Sequence, residues 1–331
     1  MNYEKPRIDE NALGRVLAAD LRDGLQLEQK QISPVFLYDE LGGKLFSALC
    51  ELPWYQIRRA EYALIQHHAK AIASALRGPV RLIELGSGNG DKIEPIVKAL
   101  EHMQARVDLD LADVSMPALE EAMQRFSHAR KVFARYHVGM YEACFDAALG
   151  GPATERRLVA FLGSNLGNFS RSAAEDFILE LRQRMRPGDG ILLGLDLVKP
   201  PEVLLQAYDD PIGVTAAFNR NILARINREF GADFDLPSFR HEARWNEEAQ
   251  RIEMHLVSEH RQAVTIADLD LQFELSAGES IWTESSHKYT VEGADALLAS
   301  AGFQIRERWV DTQSGFMNAV YWLPPLSLVD A

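Results

Sequence analysis

Cysteine is nearly absent from this chain. Cys50 and Cys144 are the only two in 331 residues, and no CxxC occurs. That argues against a disulfide framework or a cysteine zinc site, and it fits a reducing cytoplasm. Positive charge is also scarce. Lys and Arg number 35 against 48 Asp and Glu, a formal net charge of −13. A surface of that sign repels phosphate backbones and anionic membranes, so neither nucleic acid nor membrane is an expected partner. No apolar run approaches the length of a membrane span. The first stretch, MNYEKPRIDENALGRVLAADLRDGLQ, is polar and of mixed charge; it lacks an apolar core, so a signal peptide is not expected. Repeats and low-complexity tracts are missing too.

What is present is the composition of a soluble globular protein, 47% hydrophobic and 25% charged, long enough for one large domain or two ordinary ones. Residues 8–29 show helical spacing. Two further helices are predicted at about 43–51 and 59–76, separated by Leu52-Pro53-Trp54-Tyr55, where proline marks a boundary. From Pro79 strands and helices alternate: PVRLIELGSGNGDKIEPIVKAL, ARVDLDLADVSMPALEEAMQRF, RRLVAFLGSNLGNFS, AAEDFILELRQRM, PGDGILLGLDLV. That pattern predicts a parallel, doubly wound α/β sheet. Residues 199–230 then read as helical, residues 240–287 as a meander of strands, and the tail as helix followed by strands. The expected organisation is a core at 60–197 plus 288–331, and a second α+β lobe from 1–59 plus 198–287.

Gly86, Gly88 and Gly90 form GxGxG directly after the strand RLIEL. Glycines there let backbone N–H groups approach a ligand closely. A nicotinamide fingerprint would want a small residue at position 91, where Asp91 stands. Asp113 ends the next strand, 113 − 90 = 23 positions on. An acid at that place suits a ribose diol, whose two hydroxyls can both donate to one carboxylate. Glu84, the three glycines and Asp113 together suit S-adenosylmethionine better than a dinucleotide. The competing explanation is a tight strand–helix turn that binds nothing.

A second stretch, GESIWTESSHKYT at 278–290, poses a different question. If it is extended, Trp282, Glu284 and Ser286 share one face. Spacing alone is explained as well or better by an exposed strand with ordinary polar alternation.

Taken together, the segments YDELGGKLF, LPWYQIRRAE, LIELGSGNGDK, FLGSNLGNF, GLDLVKP, AYDDPIGVTAAFNRNILARINRE, ARWNEEAQRIEMHL and GESIWTESSHKY resemble the S-adenosylmethionine-dependent histidine N-alpha-methyltransferases of ergothioneine biosynthesis. The resemblance runs from about Tyr38 to Trp309. It implies a Rossmann-like class I methyltransferase core with a substrate-binding second lobe. Because a sulfonium is already an activated methyl donor, no metal is expected, and a cytoplasmic monomer is the expectation. Cofactor contacts are implied at Gly86, Gly88, Lys92, Asp113, Met140, Tyr141 and Gly163. Met140-Tyr141 stands where the family usually has Asp-Phe, so the carboxylate that would meet the adenine amino group is missing there or supplied elsewhere.

For a free amino acid substrate, the resemblance implies Asn168 at its amino-acid portion, Tyr208 at its carboxylate and Tyr55 near its amine. Met254 would line the ring pocket, and Glu284 with Ser286 would grip the imidazole. A carboxylate accepts the ring N–H and a hydroxyl donates to the other nitrogen. Gln56-Ile57-Arg58 departs from the family's Tyr-Pro-Thr beside Tyr55. The implied reaction is successive methylation of the histidine α-amine to trimethylhistidine (hercynine). No residue presents itself as a clear general base, Tyr55 being the one candidate. Methylation of another amino acid or amine, or non-catalytic cofactor binding, are the alternatives.

The remaining features have plainer explanations. Asn168 could cap the helix that follows it. Asp209-Asp210-Pro211 reads as turn chemistry rather than a metal pair. His67 and His68 diverge on a helix, and His287 falls on the face opposite Glu284.

Overall fold

The computed structural model describes residues 10–150 and 155–325. Its strands, in chain order, are β1 Val80–Leu85, β2 Val107–Asp113, β3 Val132–Val138, β4 Arg156–Phe161, β5 Gly190–Asp196 and β6 Phe239–Asn246. They continue as β7 Arg251–Ser258, β8 Gln262–Ile266, β9 Leu271–Leu275, β10 Ser280–His287, β11 Gln304–Asp311 and β12 Phe316–Trp322. The chain forms two compact units. One comprises Ile57–Val198 and Lys288 onward; the other comprises Asp9–Gln56 and Lys199–His287.

The first unit is built on a seven-stranded sheet in the order β11-β12-β5-β4-β1-β2-β3. β1 to β5 are mutually parallel, while β12 runs antiparallel to β5 and β11 antiparallel to β12. β1, VRLIEL, is buried at every position, as a strand covered on both faces must be. Its side chains alternate between two cores. Ile83 and Leu85 join one with Phe145, Phe161 and Phe177 from the side of helices 141–149 and 171–184. Val80 and Leu82 join the other with Ile65, Ile72, Ile96 and Leu119 from helices 57–74, 94–103 and 116–126. Truncating Leu82 to alanine in such packing costs about 2–5 kcal/mol.

Order 3-2-1-4-5 reverses direction between β1 and β4. Ligands in open α/β sheets gather outside the strand carboxyl ends at such a reversal. Both β1 and β4 end in turns with left-handed glycines, φ +70° at Gly86 and +76° at Gly163.

The second unit carries the antiparallel sheet β10-β7-β6, the hairpin β8–β9, and helices 10–25, 40–50, 201–208 and 214–230. Asp39 starts helix 40–50 by accepting the Gly42 N–H, and also takes bonds from Asn221 and Arg228. Asp210 accepts from the N–H groups of Ile212, Val214 and Thr215. It therefore starts helix 214–230, the turn chemistry expected of it.

One expectation about β10 is corrected. The register against β7 shifts between Trp282, opposite His255, and Glu284, opposite Met254. Thr283 is the extra residue of a β-bulge. Directly opposed residues share a face and adjacent residues do not, so Trp282 and Glu284 lie on opposite faces. Trp282 stacks with His255 beneath the Arg251 guanidinium. Glu284 and Ser286 remain together, on the face of Met254 and Ile252.

Candidate active site

In the first unit the residues after β1 are shaped by β2. Ala112 O accepts from the Gly86 and Ser87 N–H groups. Asp113 accepts from Gly88 N at 2.8 Å and from Ser115 N at 2.8 Å. Burial raises the Asp113 carboxyl above its ordinary range, with those bonds opposing. Gly88 has φ +53°, and a Cβ there would meet nothing within 4 Å. The turn is thus open on the side of the Gly88 Cα hydrogen. A Cβ at Gly86 would sit 2.7 Å from Asn165 Nδ2 and 3.1 Å from Tyr141 Oη. Met140 precedes helix 141–149 in an extended conformation, and the Tyr141 ring packs edge-on against Phe161.

Below the turn lies Glu84, fully buried. Its two carboxylate oxygens have no hydrogen-bond partner among the described residues. Burial pushes it well above the usual carboxylate range, with Lys92 opposing. Lys92 itself is held as an ammonium, because Glu61 and Glu84 outweigh its burial. Glu61 Oε2 is 3.3 Å from Lys92 Nζ, and both Glu61 oxygens accept from Gly163 N at 2.8 Å. A Cβ on Gly163 would come within 2.9 Å of that ammonium. Gly86, Gly163, Lys92, Asn165 and Tyr141 therefore crowd one spot at the ends of β1 and β4. Asn168 closes the 3-10 turn 165–168. The helix beginning at Arg171 is capped by Ser170, which accepts from Ala173 N, so Asn168 does not serve as its cap.

Sequence reasoning missed Glu61 and Asn165. Glu61 carried a signal: it falls on the stripe Ile57, Ile65, Ala69, Ile72, all buried with it, and a lone acid on an apolar stripe demands a partner. Asn165 carried none.

The second unit gathers the other set. Tyr208 Oη donates to Ser286 Oγ at 2.7 Å. Tyr55 packs edge-on against Tyr208, centroids 6.3 Å apart. Met254 stands opposite Glu284. Burial raises the Tyr55 phenol well above its usual range, with Tyr208 and then lesser neighbours including Glu284 adding to it. That shift keeps the phenol protonated at neutral pH. Among the described residues no cluster of His, Cys, Asp and Glu could hold a metal ion, and no helix is long and apolar enough to cross a membrane.

A doubly wound sheet closed by an antiparallel hairpin, with a glycine turn after β1 and an acid ending β2, defines a Rossmann-like class I methyltransferase core. Comparison with known proteins narrows this. Residues 17–322 match the family described as histidine-specific methyltransferase, SAM-dependent, and the chain belongs to that family. It is 39% identical over 312 residues to the histidine N-alpha-methyltransferase of Mycobacterium tuberculosis, covering 93% of this chain and 95% of that one. It is 38% identical over 310 residues to that of Mycolicibacterium smegmatis, covering 92% and 94%. Ergothioneine biosynthesis protein 1 of Neurospora crassa is 28% identical over 285 residues, 85% of this chain and 32% of that longer protein.

Proposed function

We propose that this chain methylates the α-amino nitrogen of free L-histidine from S-adenosylmethionine, in successive rounds ending at trimethylhistidine, a step of ergothioneine formation. The observation that carries the reading is Glu284 and Ser286 on one face of β10, in a chain that is nearly co-linear with two histidine N-alpha-methyltransferases.

The residues of the first unit fit the cofactor. Gly88 offers an open backbone face, and Glu84 is an orphaned acid directly beneath the turn. Asp113 would take the ribose hydroxyls, Lys92 the carboxylate of the methionine part, and Met140 with Tyr141 the adenine, while Gly86 and Gly163 allow close approach. When bound, S-adenosylmethionine supplies a methyl group already activated on a sulfonium.

The residues of the second unit would bind and orient the amino acid. Glu284 accepts the imidazole N–H. Ser286, which accepts from Tyr208, would turn its own hydrogen to the other ring nitrogen. Met254 packs on the ring. Tyr208, whose one hydroxyl hydrogen goes to Ser286, would have to turn it to the carboxylate when the amino acid binds, and Tyr55 would donate near the amine. Asn168, which the resemblance assigns to the amino-acid portion, belongs to the first unit, in the turn after β4. Trimethylation leaves no lone pair, so reaction stops there. A site built around ring hydrogen bonds rejects amino acids that leave them unpaired.

The test is mass spectrometry of purified enzyme with S-adenosylmethionine and a panel of amino acids and amines. One, two and three added methyl groups on histidine alone support the reading. Turnover of a different amine, or cofactor binding without transfer, would sink it. Near-normal kcat/KM of Glu284→Ala with histidine would remove Glu284 from the pocket.

A further inference from the structure

The bulge in β10 is held by a buried side-chain network that touches none of the proposed substrate groups except at its two ends. Thr283, the inserted residue, is 1% exposed. Its Oγ1 donates to Asn219 Oδ1 at 2.6 Å and lies 3.0 Å from Met254 O. Asn219, on helix 214–230, is fully buried. Its Nδ2 contacts His241 Nδ1 at 2.9 Å and His255 O at 3.2 Å. The other His241 ring nitrogen, Nε2, lies 2.8 Å from Tyr208 O. A carbonyl can only accept, so Nε2 carries the hydrogen and Nδ1 accepts from Asn219. The His241 side chain is 1% exposed, and burial lowers its pKa, which favours the neutral ring this arrangement requires.

The chain of bonds closes on itself. From Thr283 it runs through Asn219 and His241 to the Tyr208 carbonyl. The Tyr208 hydroxyl then returns to Ser286, three residues along β10 from Thr283. Asn219 commits both amide hydrogens and its oxygen, and so ties its helix to β6, β7 and β10.

The geometry points to Asn219, with Thr283 and His241, as the positioning network that fixes the histidine selectivity of this enzyme. Its action is indirect. A one-residue slip of a strand moves every side chain to the other face. Thr283 bonded to Asn219 holds the extra residue in place, so Glu284 and Ser286 face Met254 rather than the side of Trp282. His241 fixes the Tyr208 backbone, so the same network sets the spacing of Tyr208 from Ser286. The inference rests on Glu284 and Ser286 being the imidazole-binding pair.

The experiment uses the full chain and separates the two ideas. Thr283→Val keeps shape and strand preference but removes the hydroxyl, and Thr283→Ser restores it. KM for histidine should rise about tenfold or more in Thr283→Val and return toward wild type in Thr283→Ser, while KM for S-adenosylmethionine changes less than about twofold. His241→Gln should shift histidine KM in the same direction. Unchanged histidine KM in both Thr283→Val and His241→Gln overturns the network, provided Glu284→Ala still impairs histidine use. Equal losses for both substrates in both variants also overturn it, since a merely structural role would give that. If Glu284→Ala is itself without effect, the failure lies with the imidazole pair. Should Thr283→Val not fold, His241→Gln alone decides.

Discussion

Replacing Glu61 by glutamine isolates one charge at the end of β4. Both carboxylate oxygens accept from Gly163 N at 2.8 Å, and one lies 3.3 Å from Lys92 Nζ. At 3.3 Å and an effective dielectric of about 20, the Coulomb attraction is about 5 kcal/mol. Desolvation of a fully buried carboxylate and a lysine side chain only 15% exposed cancels much of that, leaving about 2 kcal/mol. Glutamine must also turn its NH2 toward either the Gly163 N–H or the Lys92 ammonium, costing about 1 kcal/mol more. At 2–4 °C per kcal/mol, a total of about 3 kcal/mol lowers Tm by roughly 6–12 °C.

Calorimetry at neutral pH measures this directly. A double-mutant cycle with Lys92→Met should return a coupling of about 2 kcal/mol. KM for S-adenosylmethionine should rise as well, because Lys92 and Gly163 belong to its proposed site. A Tm within about 1 °C of wild type with no coupling would refute the argument.

Gly86→Ala forces an L-residue to φ +70° with its Cβ 2.7 Å from Asn165 Nδ2. The strain is about 1–2 kcal/mol, and titration calorimetry should show weakened cofactor binding; unchanged affinity would move the cofactor elsewhere. Asp110 is buried, which raises its carboxyl, but hydrogen bonds from His137, Arg135 and Arg81 outweigh that and hold it well below its ordinary 3.8. Its stabilisation is therefore present above that value and lost as pH falls through the folded-state value. Asp110→Asn should cost about 3–5 kcal/mol at neutral pH and less in acid, read by denaturant unfolding across pH; a pH-independent difference would contradict it. Methyl transfer should persist after exhaustive chelation, the methyl group being already activated; loss of turnover restored by a divalent cation would show otherwise.

The glycine turn and the acid ending β2 were legible because both sit where local patterning is strongest, at the junctions of buried strands and amphipathic helices. Glu284 and Ser286 were legible as neighbours for a simpler reason: two residues apart on a strand is one face, and the bulge lies before them. Trp282 was misplaced because a bulge adds a single threonine, itself a good strand residue, and leaves no mark in the alternation. Asn219 was hidden for a similar reason. A polar residue in a helix reads as solvent-facing until the strands that surround it are known. The insertion of β12 between β5 and β11 is decided by non-local pairing, which no window of sequence contains.

The seven-stranded sheet has two outer strands, β11 and β3, and both carry charged side chains. β11 presents Arg306, Glu307 and Arg308 in succession, all well exposed or partly so, with Arg308 tied to Asp295. On β3, Arg135 reaches back to Asp108 and Asp110, and the Arg106 guanidinium lies 3.9 Å over the Phe133 ring. Charged side chains at both rims make strand addition unfavourable. The mixed sheet thus carries, at both hydrogen-bonding rims, the kind of charge that disfavours the growth of fibrils.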